Sequence, residues 1–462
     1  MKYFIETYGC EMNIAESSSV EQILLKRGWT KSECGETADC VIINTCSVRG
    51  SAETRILGRL GFYTGVKKVR MNDPFAKVKS DEMKIAAEFA QKNGKIPLTV
   101  IVMGCMAERL LKSLQKQWPV VDYTVGTFGK YMFPKIFENI ENHGKPFPVV
   151  EEENYTFAKN SYEENAFSTF VPIMHGCNNF CTYCIVPYVR GREVSRPVED
   201  ILNELDFLKT KHVREITLLG QNVNAYRGEN NTNFPKLLTA ICDHLRKTNS
   251  TIEWIRFESS NPNDFDDELI QVIANEPMIC RGFHIAVQHG NNQILKAMHR
   301  KYTREFYIEL AKKLRDAMDD VQLVTDLMVG FPGETEEQFN DVLTLQDEVQ
   351  FESAFMYYYN PREGTPAAIM DNQIPLEEKK CRLQKVINKQ LTIENSVMSK
   401  RVGKTIKVLA DIISKNDKNE LLGKTEQNER VAFKGDPSLI GTFVNVRLDS
   451  LNGNTFKGTL IQ

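Results

Sequence analysis

His175-Gly176-Cys177-Asn178-Asn179-Phe180-Cys181-Thr182-Tyr183-Cys184 places three cysteines within eight residues, in a C-x3-C-x2-C spacing, just after the apolar run Thr169–Met174. Three thiolates so close in sequence can face one centre. Thiolates are soft ligands suited to zinc or to iron–sulfur clusters. On a four-iron cube, three ligands leave one iron open to a substrate. Zinc would want a fourth ligand, and His175 is at hand; a disulfide is the third alternative. The other cysteines are at 10, 34, 40, 46, 105, 242, 280 and 381. The N-terminus has no basic segment followed by a long apolar one, and no apolar run approaches the ~20 residues that span a bilayer. A cytoplasmic protein without membrane contact is expected, and its thiols should stay reduced, so ligation outranks disulfide formation.

Outward from this stretch, apolar runs alternate with helical patterns. Thr169–Met174, Glu215–Leu219, Glu253–Phe257, Phe283–Val287, Leu323–Val329 and Ala354–Tyr359 read as strands. Val198–Lys209, Pro235–Arg246, Asp267–Ala274, Arg304–Met318 and Glu336–Val349 read as helices. Six such repeats predict a partial (β/α)6 barrel, with its site at the carboxyl ends of the strands. Upstream, residues 1–145 predict a parallel-sheet α/β domain with strands Lys2–Tyr8, Ala38–Asn44, Leu98–Gly104 and Asp122–Gly126 and helices Glu21–Arg27, Ala107–Trp118 and Tyr131–Asn142. Within it, Gly61–Ser80, with Lys67, Lys68, Arg70, Lys77 and Lys79 against Asp73, reads as an exposed basic loop or irregular helix. Residues 146–167 are polar and acidic without a period, which predicts a linker before a domain over 168–400 that ends in a long connector helix. Short runs separated by Gly, Asn and Asp predict a small all-β barrel over 401–462.

The 462-residue chain is 42% apolar and 26% charged, ordinary for a globular protein, and its formal charge of -3 announces no global affinity for nucleic acid. The last 62 residues differ: 10 Lys/Arg against 7 Asp/Glu leave a small positive excess suited to a polyanion. Cys10, Cys46 and Cys105 each close a predicted strand of the first domain. Parallel strands share one carboxyl edge, so three thiols could meet there. The alternative is that they are buried as small hydrophobes, the reading given to Cys34, Cys40, Cys242, Cys280 and Cys381.

The C-x3-C-x2-C loop and Gly330-Phe331-Pro332-Gly333-Glu334 resemble the radical S-adenosylmethionine (SAM) superfamily. In that superfamily SAM chelates the open iron, and its cleavage gives a 5′-deoxyadenosyl radical. The last of these stretches would serve equally as an ordinary strand-to-helix turn capped by Thr335. Over its whole length the chain resembles the methylthiotransferases, through Thr7-Tyr8-Gly9-Cys10-Glu11-Met12-Asn13, Asn44-Thr45-Cys46-Ser47-Val48-Arg49, Gly104-Cys105-Met106-Ala107-Glu108-Arg109 and Arg190-Gly191-Arg192-Glu193-Val194-Ser195-Arg196-Pro197. Leu218-Leu219-Gly220-Gln221-Asn222-Val223-Asn224-Ala225-Tyr226 is similar to the MiaB branch, which acts on N6-isopentenyladenosine at tRNA position 37.

The resemblance implies two [4Fe-4S] clusters, one on Cys177, Cys181 and Cys184 and one on Cys10, Cys46 and Cys105, the six residues carrying both metal and catalysis. It implies SAM bound near Tyr183, Gln221, Glu258, Gln288 and Arg190, and a C-terminal TRAM domain that binds RNA. One SAM would methylate a sulfur held on the second cluster; another would yield the radical that takes hydrogen from adenine C2, and methylthio would transfer there. Arg190, Arg192 and Arg196 would pair with a SAM carboxylate or an RNA phosphate, or form surface salt bridges; Lys404, Lys407, Lys415, Lys418 and Lys424 would follow the tRNA backbone. A flavodoxin- or ferredoxin-type electron donor, a sulfur donor and a monomer complete the expectation. Ser259-Ser260-Asn261-Pro262 and Gln288-His289-Gly290-Asn291-Asn292 depart from the usual Ser-His-Pro and Gln-Ser-Gly-Ser-Asp of the family. The alternatives are methylthiolation of threonylcarbamoyl-adenosine in tRNA or of a ribosomal protein aspartate, an iron–sulfur redox sensor or electron carrier, and a zinc-containing RNA-binding protein.

Overall fold

The computed structural model describes residues 1–47, 50–74, 76–78, 80–157, 161–415 and 417–461, with backbone alone at 50–52. Val48 and Arg49 of the second cysteine motif and Lys79 of the basic stretch lie outside the described residues. The chain divides into two compact units, residues 1–178 with 185–196, and residues 179–184 with 197–462.

The first unit is built on parallel strands β1 (Lys2–Thr7), β2 (Thr30–Lys31), β3 (Cys40–Thr45), β4 (Thr99–Gly104) and β5 (Tyr123–Val125), in the order β2-β1-β3-β4-β5. Alternate residues of a strand point to opposite faces. Val41, Ile43, Val100 and Val102 pack under Ile56, Leu60, Tyr63 and Val66, while Ile42 and Ile101 pack under Val20, Leu24, Phe133 and Phe137. Both faces are covered, which is why these strands read as unbroken apolar runs.

The basic stretch divides: its first half, Gly61–Arg70, ends the helix Gly50–Arg70, and its described residues from 71 to 80 carry no helix or strand. Gly58, Gly61 and Gly65 lower its helix propensity, and burial of the Ile56/Leu60/Tyr63/Val66 stripe overrides them. Lys67 pairs with Asp122 at 2.6 Å, and Arg70 is fully buried, its Nε donating to Ile96 O at 3.1 Å. The helix Asp81–Asn93 was not anticipated, and that of Glu11–Lys26 is longer than expected.

Residues 146–167 contain no regular element among those described, yet they pack on the first unit. Ser161 Oγ lies 3.0 Å from Ser19 Oγ, Gln22 Nε2 donates to Tyr162 O at 2.9 Å, and Tyr155 and Tyr162 are buried. The first expected barrel strand, β6 (Ser168–Pro172), together with β7 (Met174–His175) and β8 (Val194–Ser195), also falls in this unit.

The second unit carries parallel strands β9 (Glu215–Leu219), β10 (Trp254–Phe257), β11 (Gly282–His284), β12 (Gln322–Val329) and β13 (Ser353–Tyr358), alternating with the expected helices. Bridges Ile255–Ile279 and Ser260–Ile285 carry the pairing from β10 to β11. After the helix Leu376–Ser399, β14 (Thr405–Ile413), β15 (Glu420–Thr425), β16 (Arg430–Lys434), β17 (Phe443–Asn452) and β18 (Thr455–Ile461) close into a five-stranded barrel. That barrel docks at the amino ends of the parallel strands. Arg256 Nη2 donates to Thr425 O at 2.8 Å, Arg281 N to Glu426 Oε1 at 3.2 Å, and Gln427 Nε2 to Asp320 O at 3.2 Å. The carboxyl ends, where α/β folds place ligands, face the other way.

Two candidate metal centres

Cys10, Cys46 and Cys105 follow the carboxyl ends of the three adjacent strands β1, β3 and β4. The register pairs Thr7 with Asn44 and Thr45 with Gly104, so the three ends are level. Side chains then tie them together. Asn13 Nδ2 donates to Asn44 Oδ1 at 2.9 Å and to Thr45 O at 3.2 Å, while its Oδ1 accepts from Cys10 N–H at 3.2 Å and Cys10 Sγ at 3.4 Å. Asn44 Nδ2 returns a bond to Asn13 O at 2.8 Å, and Thr45 Oγ1 donates to Met103 O at 2.6 Å. Gly104 has φ +95°, and a Cβ there would lie 2.5 Å from Thr45 O, so glycine lets the Cys46 and Cys105 turns approach.

Cys46 and Cys105 are buried and Cys10 is half-buried. Burial pushes Cys105 up to about 11; Arg190 opposes this, and Glu16, Cys46 and Cys10 add to the rise. Burial likewise raises Cys10, Arg190 again opposing it and Cys46 adding to it. Cys105 therefore senses the charge of both Cys10 and Cys46. Burial favours the protonated thiols of Cys10 and Cys105; an iron cluster would drive their protons off. The donors are all sulfur, which suits iron–sulfur ligation. Among the described residues no three Cys, His, Asp or Glu side chains stand close enough together to hold a metal ion as they are placed.

Arg190 departs from expectation. It is not at the surface. It is 2% exposed inside the first unit, where Nη1 donates to Glu16 Oε1 at 2.9 Å and Nε to Cys105 Sγ at 3.2 Å. Lys130 Nζ meets Glu16 at 2.9 Å and Tyr155 Oη at 2.9 Å. Burial alone would raise the Glu16 carboxyl, but Arg190 and Lys130 hold it at about 2. His175 stacks on Tyr155 with ring centroids 3.5 Å apart, its Nδ1 3.4 Å from Arg190 Nη1. Arg196 is buried as well, donating to Pro172 O at 3.3 Å, whereas Arg192 is exposed.

In the C-x3-C-x2-C loop, Cys177 belongs to the first unit and Cys181 and Cys184 to the second. Gly176 has φ +80°, and a Cβ there would collide with Arg192 O; Cys177 N–H donates to Gly191 O at 3.2 Å. In the second unit, Thr182 N donates to Met298 O at 3.1 Å and Arg300 Nη1 to Cys181 Sγ at 3.5 Å. Tyr183 packs with Met298, Phe331 and Tyr359; burial pushes its hydroxyl well up, with Arg300 opposing and Cys181 and Cys184 nearby.

Gln221, Glu258 and Gln288 stand just beyond the carboxyl ends of β9, β10 and β11. Gln288 Oε1 accepts from Tyr357 Oη at 2.7 Å, and Nε2 lies 3.4 Å from Asp326 Oδ2. Ser259 and Gln288 have φ +68° and +69°, a backbone state that non-glycine residues rarely adopt outside functional or strained sites. In the second departure from the family pattern, His289 and Asn291 tie the loop to neighbouring elements. His289 is fully buried; its Nδ1 accepts Asn291 N–H at 3.0 Å, so the ring is the Nε2–H tautomer and donates to Glu334 Oε2 at 3.2 Å. Glu334 in turn binds Gly330 N at 2.8 Å and Arg382 Nη1 at 2.6 Å, and Thr335 with Gln338 forms a capping box. The Gly330–Glu334 stretch is thus a strand-to-helix turn pinned by a buried carboxylate.

Three of the five expected tRNA lysines are ion-paired within the second unit instead: Lys404 with Asp320 at 2.7 Å, Lys407 with Glu253 at 2.8 Å and Lys424 with Glu215 at 3.4 Å. Lys415 and Lys418 are exposed. Asn13, Asn44, Glu16, Lys130, Arg300 and Tyr357 were not anticipated. The one available signal was Glu16, an acid among the small residues Ala15, Ser17, Ser18 and Ser19 on a buried helix.

Residues 171–345 match the Radical SAM superfamily, residues 2–126 the family described as Uncharacterized protein family UPF0004, and residues 399–461 the TRAM domain. The fold is shared with the radical SAM methyltransferase TsrM from Kitasatospora setae, with cobalamin and a [4Fe-4S] cluster bound (TM-score 0.55, 11% identity, 80% of this chain and 77% of that one). It is shared also with the cobalamin-dependent SAM radical enzyme OxsB (TM-score 0.51, 13% identity, 85% and 57%). Parallel strands with a three-cysteine loop thus define a radical SAM enzyme, a class that uses SAM and a [4Fe-4S] cluster. Proteins named tRNA-2-methylthio-N(6)-dimethylallyladenosine synthase are 48% identical in Treponema denticola (100% of both chains), 47% in Treponema pallidum strain Nichols (100% and 99%) and 40% in Alkaliphilus oremlandii (100% and 93%). The chain belongs to the tRNA-2-methylthio-N(6)-dimethylallyladenosine synthase family.

Proposed function

We propose that the protein methylthiolates C2 of N6-isopentenyladenosine at position 37 of tRNA, with a second [4Fe-4S] cluster on Cys10, Cys46 and Cys105 beside the radical SAM cluster on Cys177, Cys181 and Cys184. The level strand ends carrying Cys10, Cys46 and Cys105, locked by Asn13, Asn44 and Thr45, are the observation that carries the reading. When bound, the clusters and SAM supply a carbon radical able to take hydrogen from an unactivated C–H bond and a sulfur to put in its place, chemistry no side chain offers.

The chain's own residues bind and orient. Asn13, Asn44 and Gly104 hold the sulfur-side thiols, and Tyr357 holds Gln288 at the SAM side. Phe355, 60% exposed on β13 with its ring 5.6 Å from that of His284, offers an apolar contact for the isopentenyl group. The base leaves the single-stranded anticodon loop at a cost of a few kcal/mol, and Lys415 and Lys418 steer the tRNA backbone. An external electron donor and a sulfur donor are required, the protein acts as a monomer, and the cytoplasm is where its substrate is found. No helix among the described residues is long and apolar enough to cross a membrane.

Mass spectrometry of tRNA nucleosides tests this. A deletion strain should lose the methylthio base and regain it with the wild-type gene. Cys46→Ala should restore no methylthio product while the purified variant still forms 5′-deoxyadenosine; product at the wild-type level would sink the two-cluster scheme.

A further inference from the structure

Arg190, Glu16 and Lys130 form a buried charge cluster beside the strand-end cysteines. Buried charges are tolerated when each is met by an opposite charge or a hydrogen bond. Glu16 takes Arg190 Nη1 at 2.9 Å, Arg190 Nη2 at 3.4 Å and Lys130 Nζ at 2.9 Å, Lys130 also reaches Tyr155 Oη, and the Arg190 Nε–H donates to Cys105 Sγ at 3.2 Å. Two cations share one carboxylate, so the cluster carries one net positive charge. Glu16 fixes the guanidinium in a fork geometry that an arginine alone in a cavity would not keep.

On the reading that Cys10, Cys46 and Cys105 hold a [4Fe-4S] cluster, we propose that Arg190 is a positioning residue that raises the reduction potential of that cluster, through its hydrogen bond to the Cys105 thiolate and its charge. Hydrogen bonds to cluster sulfurs and nearby charge are the levers by which proteins set such potentials. One-electron reduction adds one negative charge to the cluster, with no bond made or broken, and a fixed cation favours that state. Removing Arg190 should make the cluster harder to reduce. Removing Glu16 should make it easier, because the cation then stands less compensated. A purely structural pin would not give opposite signs.

The experiment uses the full-length chain with Cys177, Cys181 and Cys184 replaced by Ala, reconstituted anaerobically with iron and sulfide and titrated with dithionite under electron paramagnetic resonance. In that parent, Arg190→Gln should lower the one-electron reduction equilibrium constant about tenfold, ~59 mV. Arg190→Lys should recover most of it, and Glu16→Gln should move it upward. Arg190→Gln within twofold of the parent, or both substitutions moving the same way, overturns the inference. Should Arg190→Gln fail to take up iron, Glu16→Gln decides: an upward shift supports the assignment, and no shift or a downward one refutes it. A parent with no iron–sulfur absorption removes the second cluster itself, and the inference with it.

Discussion

Gly104→Ala isolates what brings Cys46 and Cys105 together. Gly104 has φ +95° and ψ -161°, a region almost closed to other residues, worth ~1–3 kcal/mol of strain. The new Cβ would also stand 2.5 Å from Thr45 O and 2.6 Å from Asn44 Oδ1, and the first is backbone that cannot swing away. Forced overpacking of this kind costs ~1–3 kcal/mol more. The total, about 4 kcal/mol, would lower the melting temperature of a unit this size by roughly 10 °C. Gly94→Ala is the control: its φ is +80°, and nothing lies within 4 Å of its Cβ position, so it bears the strain without the clash. Thermal unfolding of the apo-protein and iron analysis of the reconstituted protein give the readings. Gly104→Ala should melt well below Gly94→Ala and hold about four irons per chain instead of about eight. If the two variants melt alike, or Gly104→Ala binds iron fully, the close approach of the two turns is not what assembles the thiols.

Glu151 reports on pH. Burial, then Glu108, raises its carboxyl to about 7, while Gly126 N–H opposes. The folded state holds this proton more tightly than the unfolded chain, so stability is intact below about pH 4.5 and falls as pH rises toward 7. Glu151→Gln should stabilise the protein at pH 8 by ~1–2 kcal/mol, after discounting for partial exposure, and hardly at all at pH 5. Equal gains at both pH values would disprove the assignment. Lys407→Ala should cost at most about 1 kcal/mol of stability and leave the salt dependence of tRNA binding alone, whereas Lys415→Ala should weaken binding and reduce the salt slope by about one. Filter-binding assays across salt concentrations distinguish the two, and equal slopes would refute the division. Tyr357→Phe removes the donor to Gln288 Oε1; at ~1 kcal/mol for the bond, SAM affinity should fall about fivefold by anaerobic equilibrium dialysis. Unchanged affinity would mean that Gln288 is not held for SAM.

What could be read from the chain, and what could not, follows from the range of each interaction. The strand-end cysteines were legible because two local facts suffice: an apolar run says where a strand ends, and strand–helix alternation says that parallel ends share an edge. The helix Gly50–Arg70 was obscured by its three interior glycines, since its stability comes from a stripe buried against distant strands rather than from propensity. Charges were least legible. Arg190 opens the polar stretch Arg190–Arg196, which reads as surface, and its partner Glu16 is 174 residues away; Lys404, Lys407 and Lys424 find theirs at separations of 84, 154 and 209. A free lysine facing RNA and one docking a barrel look identical until the acid opposite is placed. Soft-ligand chemistry names itself by residue type, whereas a cation acquires its role only from the fold. A buried cation beside strand-end thiols, such as Arg190 against Cys105, is therefore what a sequence conceals.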